Sequence, residues 1–330
     1  MIKKAVVTGG AGFIGSHMVE LLLNKGFHVI AIDDMSNGQV DNVDIFKKNK
    51  NYEFHKLDIS KSLTGKTGLF KGVKYVFHLA ALADIVPSIE KPMKYFKSNV
   101  TGTINILEAC RKNNIEKIIY SASSSCYGIP DKYPTSEKAE IRPQYPYALT
   151  KYIGEEMVMH WNKIYKIPAL SLRYFNVYGT RARSNNTYGA VFKVFLKQKL
   201  EKHPLTIIGD GKQTRDFTYV TDIVKSNLIA AKSDINGEIF NVGTGKPQSI
   251  NYLAELIGGE TIHIPKRPGE PDSTHADITK IKKMLRWKPL VSFEEGVQTM
   301  IDNIDYWKDA PLFTVKKIEK ATKDWFKYLS

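Results

Sequence analysis

The hexapeptide Gly10-Ala11-Gly12-Phe13-Ile14-Gly15 limits the fold more than any other stretch of this chain. It follows an apolar run, Ala5-Val6-Val7, and opens a segment over residues 13–25 in which Phe13, Ile14, Met18, Leu21 and Leu22 recur at helical spacing. Glycines at these intervals permit a tight strand-to-helix turn and let another group come close to the backbone. They also leave the amino terminus of the helix free to face an anion. With Gly9 the stretch reads GxxGxxG as well. A strand, such a turn and a helix make the first half of a βαβ unit, so the chain is expected to open with a parallel sheet.

The same rhythm continues. Strands are expected at His28 to Asp33, Glu53 to Leu57, Tyr75 to Leu79, Lys117 to Ser121 and Ala169 to Tyr174. Helices are expected around 94–113, stopping near Asn113-Asn114, and over 146–165. Strands alternating with helices of this length need a sheet covered on both faces, with right-handed crossovers. After about residue 175 the rhythm loosens, and glycines and prolines cluster at Gly209-Asp210-Gly211, Gly243-Thr244-Gly245 and Pro265 to Pro271. The expected architecture is α/β: a Rossmann-type, doubly wound parallel sheet with a smaller α+β substrate domain. The first domain is placed at 1–173 with a returning segment near 216–243, the second at 174–330. Val220 to Lys232 is apolar on one face and is expected to pack back on the first domain.

Composition narrows the function classes. With 42% hydrophobic and 25% charged residues the chain can bury a large core, which argues against disorder. Its net charge of +14 suits a polyanionic partner: nucleic acid, an anionic membrane surface or a small phosphorylated ligand. The lysines are dispersed (Lys47-Lys48, Lys282-Lys283, Lys316-Lys317) rather than gathered in one stripe with aromatics, which disfavours nucleic acid. Cys110 and Cys126 form neither a disulfide framework nor a zinc pattern, so no metal and a reducing cytoplasm are expected. No apolar run reaches membrane-spanning length, and the N-terminal one stops at Thr8, too early for a signal-peptide core. No membrane association is expected.

Chemistry-bearing residues then fall into place. Asp33 ends the second strand 18 residues after Gly15, where its carboxylate can accept hydrogen bonds from both hydroxyls of an adenosine ribose. An acid there repels a 2′-phosphate, and no arginine follows in Asp34-Met35-Ser36-Asn37, which favours NAD over NADP. Tyr147 and Lys151 stand at i and i+4 on one helical face, where an ammonium near a phenol favours phenolate and makes a general base. Ser121-Ala122-Ser123-Ser124-Ser125 ends a strand at the sheet edge where open α/β folds bind ligands, so a hydroxyl there can meet a substrate oxygen. Alone, a YxxxK spacing or a serine turn would be commonplace; together with the glycine turn they point to one site.

These residues sit in a longer series: Thr8 to Ser16, His78-Leu-Ala-Ala81, Asn99-Val-Thr-Gly-Thr103, Ser123-Ser-Ser-Cys-Tyr-Gly128, Tyr147 to Lys151, Arg173 to Gly179, Arg215-Asp-Phe, Asn241 to Gly245 and Arg267-Pro-Gly. In that order they resemble the extended short-chain dehydrogenase/reductases, specifically the NAD-dependent sugar-nucleotide epimerase/dehydratase family. The resemblance implies tightly held NAD, a sugar-nucleotide substrate and a homodimer. It assigns the cofactor to Gly9, Gly12, Phe13, Ile14, Gly15, Asp33, Asn37, Asp58, Ile59, Leu79, Ala80, Ala81 and Asn99, with Tyr147 and Lys151. It assigns the substrate to Ser123, Ser124, Ser125, Tyr147, Asn176, Arg215, Arg267 and Thr274, and catalysis to Tyr147, Lys151 and Ser123.

Family members share an opening oxidation at the sugar C4 and differ in the step after it. The resemblance implies Thr-Asp-Glu at 123–125 for a 4,6-dehydratase and a glutamate at 125 for a uronate decarboxylase, whereas this chain has three serines. Without a carboxylic acid, elimination lacks its general acid. Cys126 lies one residue before Tyr127, not two as in epimerase/reductases, and reads as a packing residue. The expected activity is therefore 4-epimerisation of a UDP-sugar through a transient 4-keto intermediate. Thr274, small where related enzymes carry a bulky tyrosine, leaves room for an N-acetyl group beside glucose and galactose, and Asn176 weighs against a uronate. Another reaction of the same family, or an NAD-binding regulator without catalysis, remains the alternative.

Overall fold

The computed structural model describes residues 2–184 and 190–329. The strands β1 (Lys4–Thr8), β2 (His28–Asp33), β3 (Tyr52–Lys56), β4 (Val73–His78), β5 (Lys117–Ser123) and β6 (Ala169–Tyr174) follow the expected alternation. Among the described residues seven parallel strands form one sheet, in the order Glu238–Val242, β6, β5, β4, β1, β2, β3. β1 is buried after its first residue and reads as an apolar run, because helices cover both faces; β6 is buried throughout although it carries Ser171 and Arg173. The strand order reverses at β1, between β2 and β4, which opens a crevice at the carboxyl ends of the strands. Helix α1 (Phe13–Asn24) begins at that crevice.

Several bounds shift in detail: β3 and β4 begin one and two residues earlier than expected, and each ends one residue earlier. β5 runs on to Ser123, carrying the first serine of the loop into the sheet. The helix expected over 94–113 is three pieces: a turn at Pro92–Tyr95, a wide π-helical stretch at Phe96–Thr101, and a regular helix at Gly102–Asn113. Asn114 ends it in the left-handed conformation at φ 50°, a backbone position that asparagine tolerates. The helices Pro146–Tyr165 and Val220–Lys232 keep the expected bounds.

The second half of the chain contributes to both cores. Ile223, Val224, Leu228, Ala230 and Ala231 of Val220–Lys232 pack into the same cluster as Met18 and Leu22 of α1. The strand Glu238–Val242 then pairs in parallel with β6. A second cluster includes packed rings, with Tyr178 stacked on Phe192 at 4.5 Å and Phe217 on Phe293 at 5.3 Å. No helix among the described residues is long and apolar enough to cross a membrane.

One ion pair lies inside the first core. Arg173 on β6 and Glu155 on Pro146–Tyr165 are 3% and 1% exposed, with Nη2 2.5 Å from Oε1. Ser171 donates to Glu155 Oε2 (2.6 Å), and Arg173 Nη1 donates to the Tyr127 hydroxyl (2.8 Å), which donates to Asn241 Oδ1 (2.7 Å). Glu155→Ala strands the guanidinium and is expected to cost about 3–5 kcal/mol, the usual penalty for an uncompensated buried charge. Urea unfolding followed by circular dichroism measures it; a loss below about 1 kcal/mol would show that the pair does not hold the helix to the sheet.

Candidate active site

The crevice is a cavity of about 720 Å³. Every site residue named from the sequence lines it except Asn99. Asn99 is 1% exposed, accepts from Leu82 N (2.8 Å), and donates to Leu82 O (3.0 Å) and Thr150 Oγ1 (3.0 Å). Its amide ties the segment after β4 to the helix that carries Tyr147.

The end of the cavity at β1 and β2 is built from backbone. Gly9 has φ +72°, and a Cβ there would stand 2.8 Å from Ala80 N; a Cβ on Gly15 would stand 1.9 Å from Gly9 O. Only glycine lets α1 approach this closely. Gly12 starts α1 without a side-chain cap, so the first-turn amides of Phe13 and Ile14 open on the cavity. Asp33 Oδ2 accepts from Ala11 N (3.1 Å) and Oδ1 from Met35 N (2.9 Å). Each oxygen keeps lone-pair capacity for a further donor. Burial raises the Asp33 pKa, and the two backbone bonds pull it back. A glycine cradle, free helix amides and a paired carboxylate acceptor fit a dinucleotide with two ribose hydroxyls and a pyrophosphate.

The His-Leu-Ala-Ala motif has a structural basis. His78 is fully buried, and desolvation lowers its pKa to about 3, so its ring is neutral. Nδ1 bonds Thr8 Oγ1 (2.7 Å) and Nε2 bonds Thr103 Oγ1 (2.9 Å), while Ala80 N donates to Thr8 Oγ1 (3.2 Å). The histidine thus fixes the Ala80 backbone against the glycine turn.

Tyr147 and Lys151 come from successive turns of Pro146–Tyr165 and both line the cavity. Burial pushes the Tyr147 phenol above its ordinary range; a hydrogen bond from Ser123 pulls it down, and Asp84 and Cys126 push it up. Ser123 Oγ accepts from Ser125 N (3.2 Å) and Ser125 Oγ (2.8 Å), which leaves its own proton available to a further acceptor. Burial lowers the Lys151 ammonium to about 7, against an upward pull from Glu155. Its Nζ stands 4.3 Å from the centroid of the Tyr120 ring. The i, i+4 spacing predicts that Lys151 lowers the Tyr147 pKa; in the structure desolvation outweighs any such effect, and Ser123 is the group that favours phenolate. Cys126 is buried, as expected of a packing residue.

At the other end Arg215 and Arg267 both face the cavity, but they share one carboxylate. Arg215 Nη2 lies 2.8 Å from Glu270 Oε1, and Arg267 Nε lies 3.1 Å from Glu270 Oε2. Thr274 Oγ1 donates to Asn176 Oδ1 (2.6 Å) and accepts from Asp216 N (3.0 Å). Asn176 lines the cavity with its oxygen engaged by Thr274.

Among the lining side chains that sequence reasoning missed are four that bear charge or an indole. Asp84 and Arg183 pair at 3.6 Å. Lys193 is buried, which lowers its pKa to about 8, and its Nζ lies 5.3 Å from the centroid of the Phe313 ring. Trp325 comes from the helix Lys323–Tyr328. None belongs to a spacing pattern; only Asp84 had a cue, six residues after His78 in the same loop.

The family model described as GDP-mannose 4,6 dehydratase matches residues 6–300. A UDP-glucose 4-epimerase of Mycolicibacterium smegmatis is 34% identical over 307 residues, covering 91% of this chain and 97% of that one. The UDP-N-acetylglucosamine 4-epimerase of Methanobrevibacter ruminantium, solved with UDP-N-acetylmuramic acid, superposes with a TM-score of 0.86 at 34% identity, covering 93% of this chain and 98% of that one. The UDP-glucuronic acid 4-epimerase of Bacillus cereus, solved with UDP-glucuronic acid and NAD, gives 0.84 at 34% identity, covering 92% and 99%. With that coverage and with the Tyr147–Ser123 pair, the glycine cradle and the paired arginines on one cavity, the chain belongs to the extended short-chain dehydrogenase/reductase family of enzymes that act on sugar nucleotides, among its UDP-sugar 4-epimerases.

Proposed function

We propose that the protein interconverts C4 epimers of a UDP-sugar, UDP-glucose with UDP-galactose first and their N-acetyl counterparts where Thr274 leaves room, with NAD as resident cofactor. The observation that carries this reading is that Tyr147 and Lys151 line one cavity with Ser123, Ser124 and Ser125, a loop that holds hydroxyls and no carboxylate. Asp84 stands in the Arg183 pair, outside that loop.

Tyr147 accepts the proton of the sugar 4-hydroxyl as a general base. Ser123 donates to the phenolic oxygen, favouring the ionised form, while Ser125 holds Ser123 in register. NAD held by these residues would supply the hydride acceptor and donor for C4. Lys151 adds positive charge at the bottom of the site, and Asp33 and the first turn of α1 hold the ribose and the pyrophosphate. Arg215 and Arg267 exchange the Glu270 carboxylate for the substrate diphosphate, a bidentate acceptor that suits two guanidinium forks. Held there, the 4-keto sugar can turn its other face to the same base before Tyr147 returns the proton.

A second reading has one specific support. Arg183 and Lys193 both face the cavity, with Asp84 beside Arg183, and two cations there suit a sugar that itself carries a carboxylate. Incubation with UDP-glucose, UDP-N-acetylglucosamine and UDP-glucuronate, with product configuration read by NMR, separates the two. Gel filtration with light scattering tests the homodimer carried by the family reading.

In that assay Tyr147→Phe is expected to reduce turnover by about 10²–10⁴-fold with the fold retained. The wild type should give C4 epimers with no net NADH; stoichiometric release of a 4-keto-6-deoxy sugar would overturn the assignment. Ser123→Ala removes the bond that favours phenolate, so the phenol pKa rises. The ascending limb of kcat/KM against pH therefore moves to higher pH, and an unmoved limb shows that Ser123 does not tune the base. Asp33→Ala should weaken NAD binding about 10- to 100-fold for each charge-assisted ribose bond lost, measured by calorimetry, and wild-type affinity for NADP should be far lower than for NAD.

A further inference from the structure

The family match ends at residue 300, yet the chain beyond it reaches into the site. The helices Val315–Ala321 and Lys323–Tyr328 run back across the molecule, and the second packs against the helix Ile85–Glu90 that follows β4. Trp325, 4% exposed, is the side chain this segment places in the cavity wall beside Arg267. Its ring lies under the Arg267 guanidinium, with 5.1 Å from Cζ to the centroid. Its indole N–H donates to the carbonyl of Pro268 at 2.7 Å, the next residue along. Leu329 O approaches the same loop from above, 3.1 Å from where a Cβ would stand on Gly269. The other edge of the ring meets Tyr145 at 6.3 Å, and Tyr145 stacks on Tyr147 at 6.3 Å with the planes 7° apart.

We propose that Trp325 is a positioning residue for the diphosphate of the substrate: it fixes Arg267 by its face and the Arg267–Pro268 backbone by its N–H, so that the guanidinium meets a nucleoside diphosphate already aimed. The inference rests on the reading of Arg267 as a diphosphate ligand. A guanidinium on a long side chain loses rotamer freedom when it binds an anion, and a flat aromatic surface that holds it beforehand removes part of that loss. Glu270 does the same from the solvent side, but it must let go when the diphosphate arrives; the tryptophan need not. The segment from 315 to 329 thereby joins the helix after β4 to the 267–271 loop across the mouth of the site, and the aromatic series Trp325, Tyr145, Tyr147 runs from the phosphate end to the base.

The test uses the full-length protein loaded with NAD, and UDP alone as the probe, with affinity read by calorimetry. Trp325→Leu, which fills space but offers no aromatic face, is expected to weaken UDP binding about 3- to 30-fold, the range for an aromatic–cation contact that is partly desolvated. Trp325→Phe, which keeps a face, should stay within about threefold of the wild type. NAD affinity should be unchanged in both, because the dinucleotide end is built from other residues. In Arg267→Ala, which loses UDP affinity by itself, adding Trp325→Leu should cost nothing further, since the tryptophan acts through the arginine. A Trp325→Leu protein with wild-type UDP affinity overturns the proposal, as does a loss that persists on the Arg267→Ala background. If Arg267→Ala alone binds UDP normally, it is the reading of the diphosphate site that fails. Circular dichroism melts of the variants accompany the titrations. Should Trp325→Leu not fold, Trp325→His in its place keeps a smaller flat ring, and a weakening above about tenfold in that variant contradicts the proposal.

Discussion

The buried pair of Glu155 and Arg173 sets the geometry on which the site depends. Two charges can be held this deep only if every hydrogen-bonding position is filled, and here the filling groups come from four places in the chain. Ser171 and Arg173 belong to β6, Glu155 to Pro146–Tyr165, Tyr127 to the turn after β5, and Asn241 to the strand that returns from the second half. Asn241 extends the chain by donating to Thr135 O at 2.9 Å. The network thus fixes how the long helix is rotated against the sheet. Glu155 faces the core, and one and two turns earlier Lys151 and Tyr147 face the crevice. A helix free to roll by one residue would turn the phenol away from Ser123.

The same packing explains the state of Lys151. A lysine inside a protein loses its hydration, and desolvation alone drives its pKa down. Glu155 offsets this by one turn of helix, and the Tyr120 ring supplies a π-face at 4.3 Å. The ammonium therefore sits near the point where it can be charged or neutral around physiological pH, its charge sustained from the core side. A negative phenolate at Tyr147 would add to that support from the crevice side. In the structure the phenol stands above its usual range because burial is the largest effect on it.

How much of this was legible in the sequence depends on the range of each interaction. The glycine turn, the alternating strands and the bounds of Pro146–Tyr165 and Val220–Lys232 are local matters of steric freedom and apolar spacing, and they could be read directly. The i, i+4 spacing placed Tyr147 and Lys151 on one face, but not the direction of the ammonium, which the Tyr120 ring on another element decides. Asn99 belonged to a recognisable motif, yet its amide turns inward because Leu82 and Thr150 offer it three bonds. Arg215 and Arg267 could be named as phosphate ligands; that both rest on Glu270 depends on a contact across 55 residues of chain. Trp325 carried no signal at all, since a tryptophan near the end of an amphipathic stretch reads as core.

The cavity also shows how a strongly basic protein keeps cationic groups near an anionic substrate without leaving them bare. Arg215 and Arg267 rest on Glu270, Arg183 lies beside Asp84, Lys151 leans on Glu155 and the Tyr120 ring, and Lys193 lies over Phe313. An unpaired buried cation would cost several kcal/mol each, so the positive charge is stored in paired form. On the proposed function, binding a diphosphate would be an exchange of one anion for another rather than the filling of an empty field. An exchange of this kind lets affinity be set by geometry: the diphosphate offers more acceptor oxygens than one carboxylate and spans both guanidinium groups at once. It also makes release possible, because Glu270 waits on the same loop as Arg267 to take the arginines back. If, as proposed, a sugar turns over while its diphosphate stays fixed, the phosphate end has to be the rigid one; the cavity places its arginines, their shared carboxylate and an aromatic face at one end and hydroxyls and a phenol at the other.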